Sequence, residues 1–135
     1  MGGGGPYTGS VTPVPPRRRT DPAAGSAALA RALGADPPER DDLRDAVRFL
    51  LEELAVRAPG RSVEVRVPPF GAVQCGDGPR HTRGTPPNVV ETDPSTWLEL
   101  ATGALTWSDA VAAGRLHASG ERADISHHFP LRLAG

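Results

Sequence analysis

Arg80-His81-Thr82-Arg83-Gly84-Thr85 places two guanidiniums, an imidazole, two hydroxyls and the N–H groups around a glycine within six consecutive residues. Such donors can grip a carboxylate or phosphate head group, because hydrogen bonds from a planar cation are strong and glycine lets neighbouring N–H groups turn toward an anion. Arg66 and Asn88 join the set if the loop folds back. A solvated loop accounts for the same residues, and no phosphate-loop pattern orders them. Cys75, the only cysteine, precedes His81 by six residues. The two form a thiol–imidazole pair only if the fold brings them together; the competing reading is a buried, inert thiol at a strand end. Asp124, His127 and His128 are metal-ligating types, but adjacent histidines on a helix diverge by about 100° and do not chelate together easily. No metal, cofactor or catalytic residue is expected.

The elements that position these groups follow from periodicity and punctuation. An alanine-rich stretch from Pro22 to Leu33 predicts a short helix, stopped by Gly34 and Pro37-Pro38. Asp41–Ala58 predicts the strongest helix: Leu43, Ala46, Val47, Leu50, Leu51, Leu54 and Ala58 share one face, Asp41 or Asp42 caps it, and Glu53 and Arg57 pair on the wet side. Ser62–Val67 alternates as a half-buried strand with Val63, Val65 and Val67 inward. Phe70–Cys75 predicts a second strand, antiparallel to the first, with Phe70, Ala72 and Gln74 on one face.

A long loop follows to Asn88, and Val89-Val90 restart a strand. Asp93-Pro94 opens a helix that buries Trp97, Leu100 and Ala101, leaves Leu98 off that face and stops at Gly103. Thr106 or Ser108 caps the next helix, which stops at Gly114. Leu116–Ser119 is a strand, and Arg122–Phe129 predicts a last short helix.

Residues 1–21, rich in Gly and Pro with Arg17-Arg18-Arg19, offer little apolar surface against ordering entropy and predict a disordered tail; residues 22–135 predict one domain. The net charge of −1 gives no field for nucleic acid. No apolar run reaches the roughly 18 residues of a membrane helix, and no signal-peptide core is visible, so no integral membrane association and a cytoplasmic location are expected. Oligomeric state is not readable.

The span from Val89 to Leu131 has the order strand, capped helix, glycine stop, short helix, glycine stop, strand, glycine stop. Thr102-Gly103-Ala104-Leu105 and Gly114-Arg115-Leu116-His117-Ala118-Ser119-Gly120 carry its grammar. This resembles the C-terminal half of sterol-carrier-protein domains. The segments Ser62–Cys75 and His81–Glu91 resemble a bacterial branch of that family more closely still. The resemblance implies an α+β, sterol-carrier-protein-like fold: a mostly antiparallel sheet of about five strands with helices on one face.

It also implies a small non-catalytic protein that holds a fatty acyl, sterol-like or other apolar molecule between sheet and helices. The apolar lining would come from Leu50, Leu54, Val65, Phe70, Trp97, Leu105, Trp107, Val111, Leu116 and Phe129, and the head-group contacts from Arg66, Arg80, His81, Arg83 and Asn88. The same ten apolar residues would equally build a filled core. A protein-interaction or scaffold domain with no lipid cavity is therefore the alternative, and an enzyme using the Arg80–Arg83 loop a third.

Overall fold

The computed structural model describes residues 19–78 and 88–133. The chain runs α1 (Pro22–Leu33), α2 (Arg40–Arg57), β1 (Val63–Val67), β2 (Gly71–Cys75), β3 (Val89–Thr92), α3 (Pro94–Thr102), α4 (Trp107–Ala112) and β4 (Leu116–Ser119), then a single 3₁₀ turn at Ser126–His128. The fold is α+β. Among the described residues the sheet has four strands in the order β2-β1-β3-β4, against the expectation of about five. Two of its ladders are antiparallel, β1–β2 and β3–β4, and the central β1–β3 ladder is parallel. A hairpin already occupies one edge of β1, so the chain returns along the other edge.

α2 is the central helix of the packing. Ala46, Val47, Leu50, Leu51 and Leu54 are buried in a core shared with Val63, Val65 and Val67 of β1 and Val90 of β3. On the other face of the sheet Arg66 pairs with Glu64 at 2.6 Å and Glu91 lies opposite His117. One apolar and one polar face are what strict alternation in β1 demands. α3 opens with the Asp93 carboxylate accepting the Thr96 N–H at 2.7 Å, and it ends at Gly103 in the left-handed conformation. Trp97 bridges α3 to α2 by donating its indole N–H to the Val47 carbonyl at 3.3 Å.

Several local expectations are corrected. α2 is preceded by Glu39, which makes no side-chain cap bond. Asp41 and Asp42 lie inside its first turn, where they favour the helix dipole and pair with Arg44 and Arg31. Glu53 is buried beside Arg57 rather than on a wet face. Ala72 is exposed, and β2 turns Val73 and Cys75 inward instead. Leu98 is buried, because α3 is packed from more than one side: the segment after β4 returns over it, with Phe129 edge-on to Trp97 and the Leu131 N–H on the Ala101 carbonyl. That returning segment is mostly extended, and the predicted helix at Arg122–Phe129 shrinks to the three-residue turn. Residues 1–18 of the predicted tail lie outside the described residues. Arg19 and Thr20 are described, and both donate their N–H groups to the Glu52 carboxylate.

Candidate pocket at the end of the sheet

The structure brings most of the predicted apolar residues together as core. Leu50, Leu54 and Val65 are 0 % exposed, and Trp97, Leu116 and Phe70 are buried with them. Leu105, Trp107 and Phe129 pack against this core from its rim, where Phe129 sits between the two tryptophans at centroid distances of 5.6 and 5.8 Å. Val111 stands apart at 46 % exposure.

Open space lies elsewhere. A cavity of about 670 Å³ sits at the end of the sheet where β1 begins and β2 finishes. Ala58, Pro59 and Gly60 of the α2–β1 connection form one wall; Ser62 and Val63 of β1, with Gly76 and Asp77, form the second. Arg122, Asp124, Ile125, His127 and His128 of the returning segment form the third. None of the ten predicted lining residues borders it. In the sequence, Asp124, His127 and His128 stand out only as metal-ligating types. The others carry no local signal, because the walls come from three stretches far apart in the chain.

Backbone bonds hold the first two walls together. The Gly76 N–H donates to the Ala58 carbonyl at 2.8 Å and the Ser62 N–H to the Gly76 carbonyl at 3.2 Å. The approach needs glycine: a β-carbon on Gly60 would run into the Gly76 carbonyl. Asn88 fastens the third wall. Its amide donates to the Ser62 carbonyl at 2.9 Å and accepts the Arg122 N–H at 2.9 Å. Asn88, expected as a head-group contact, thus has its side chain engaged in the scaffold. Arg66 does not line the cavity and is paired with Glu64. Arg80, His81 and Arg83 lie outside the described residues. A β-carbon on Gly78 would lie 3.1 Å from an Arg122 nitrogen and 3.2 Å from the Ser62 β-carbon.

The floor is apolar, from the buried Ala58, Val63 and Ile125, and the rim is mostly polar. The rings of His127 and His128 lie 4.1 Å apart. Burial, and then the neighbouring His127, lower the pKa of His128 below the usual imidazole value. The Asp124 carboxylate accepts the Ser126 N–H at 3.0 Å, and hydrogen bonding to Ser126 holds its pKa low. Among the described residues, no three His, Cys, Asp or Glu side chains are grouped to hold a metal ion. Cys75 is fully buried, and loss of solvent pushes its thiol up to about 11, so at neutral pH it carries almost no nucleophilic thiolate.

A family model described as the bacterial SCP ortholog, SCP standing for sterol carrier protein, matches residues 39–131. The chain belongs to this family. The match begins at Glu39, immediately before α2, and ends at Leu131, whose N–H bonds the Ala101 carbonyl of α3; α1 lies outside the matched residues. All three cavity walls lie within the matched residues. No curated protein matches the chain. Among the described residues of this SCP ortholog, no helix is long and apolar enough to cross a membrane.

A second recess lies between α2 and β2, bordered by Arg19, Asp45, Arg48, Glu52 and Phe70. Its charged border suits water better than an apolar ligand.

Proposed function

We propose that this SCP ortholog is a non-catalytic carrier that holds an apolar small molecule in the cavity at the end of its sheet. The observation that carries the reading is an apolar floor of Ala58, Val63 and Ile125 under a polar rim, in a space of small-molecule size. Burial of the ligand would supply the affinity, at roughly 25 cal/mol per Å² of apolar surface removed from water. Arg122 at the rim, with Arg80, His81 and Arg83 as further candidates, would orient a polar or acidic head. Leu50, Leu54, Val65 and Trp97 would back the site as a solid wall.

Native mass spectrometry of the purified full chain, before and after gentle organic extraction, tests the reading. A co-purified apolar mass removed by extraction supports it and gives the ligand class. A clean protein mass, with no uptake from a fatty-acid and sterol panel, rejects it. The second reading, a scaffold domain acting through its surface, is favoured by the filled sheet–helix interior and by the exposed side chains of Leu33 and Val111; it would then lead.

A further inference from the structure

We infer that the ligand is a compact amphiphile seated wholly in the end cavity, and not a long acyl chain threaded between sheet and helices. The inference rests on the carrier reading and sharpens it. A void wide enough for a water molecule would leave part of its lining accessible, yet Leu50, Leu54 and Val65 are 0 % exposed between the layers. Trp97, the largest fully buried side chain, fills the same interior and is fixed to α2 by its bond to Val47. The path from the cavity into the core is closed by Val63 and Ile125, both packed into the core themselves. A chain entering past them would have to displace side chains that are already close-packed, losing the contacts that fix the domain. The end cavity needs no such displacement. It offers about 670 Å³, an apolar floor, and at its rim the paired imidazoles of His127 and His128 with the Arg122 guanidinium. A ring system or short alkyl group bearing a polar head fits that arrangement.

The test is calorimetric titration of the full chain with straight-chain carboxylates from octanoate to hexadecanoate, and with naphthoate, on the wild type and on His128→Trp. Each methylene that enters an apolar site improves affinity about fourfold. The expected result is a gain of that size that stops before hexadecanoate, binding of naphthoate, and at least a tenfold loss of dodecanoate affinity in His128→Trp, whose larger ring would take up space the ligand needs. A gain that continues through hexadecanoate overturns the compact ligand and leaves a carrier with a long tunnel. Unchanged dodecanoate affinity in His128→Trp overturns the location. Absence of binding by every probe overturns the carrier reading itself, and this inference with it.

Discussion

The side chain of Asn88 accepts the backbone N–H of Arg122 at 2.9 Å while donating to the carbonyl of Ser62 at the same distance. One buried amide therefore joins the start of β1 to the segment that returns after β4. Asn88→Ala leaves a buried carbonyl and an N–H without these partners. The expected loss is about 2 kcal/mol, from the cost of leaving polar groups unpaired. Urea denaturation measures that loss, and faster hydrogen exchange at the Arg122 amide locates it. Unchanged exchange at Arg122 would show that the clasp does not hold this wall.

Gly25 of α1 meets Phe49 of α2 so closely that a β-carbon would overlap the ring. Gly25→Ala gains about 1 kcal/mol in helix propensity. It also overpacks a contact that Phe49, itself buried, cannot easily leave, at about 1–3 kcal/mol. The steric cost wins, so the midpoint of urea unfolding should fall. A higher midpoint would mean that α1 is loosely held.

Cys75 has its thiol pKa raised by burial from the ordinary value of 9.0 to about 11. In the unfolded chain the thiol ionises more readily, so the unfolded state gains as pH rises from 9 toward 11. Stability should be unaffected by Cys75 below pH 9 and decline across that window. Cys75→Ala should flatten the decline. Thiol labelling at neutral pH should be slow in the folded protein and fast in urea; fast labelling without urea would contradict the burial.

His128 has the opposite dependence. Its folded pKa lies below the usual 6.5, first because of burial and then because of His127. The unfolded chain takes up the proton more readily, so stability is complete above pH 6.5 and is lost as pH falls through 6.5 toward the folded value. Proton NMR should show His128 titrating below 6.5, and His127→Gln should move it part of the way back. A normal titration would place the ring in solvent.

Much of the framework was legible in the sequence. α1 has the predicted bounds, β1 alternates as its valines require, and α3 is capped by Asp93 because proline, threonine and the apolar spacing all point to one start. What failed were properties fixed by distant partners. Leu98 lies off the main apolar face of its helix, yet a returning segment buries it. Glu53 lies in a surface-like pattern, yet it is buried beside Arg57. The cavity was not legible at all: nothing in Ala58, Val63 or Ile125 distinguishes a pocket floor from core until Gly76 and Asn88 bring their segments together. The predicted lining residues were apolar and periodic, and the structure packs most of them into the core.

The three walls of the end cavity come from residues 58–63, 76–77 and 122–128. In thermodynamic terms a molecule bound there is a cross-link that exists only in the folded chain. At a hundredfold excess over its dissociation constant such a molecule adds about 2.7 kcal/mol to stability. The melting temperature of this domain would then report its cargo, and an emptied carrier would be the form most exposed to unfolding and proteolysis.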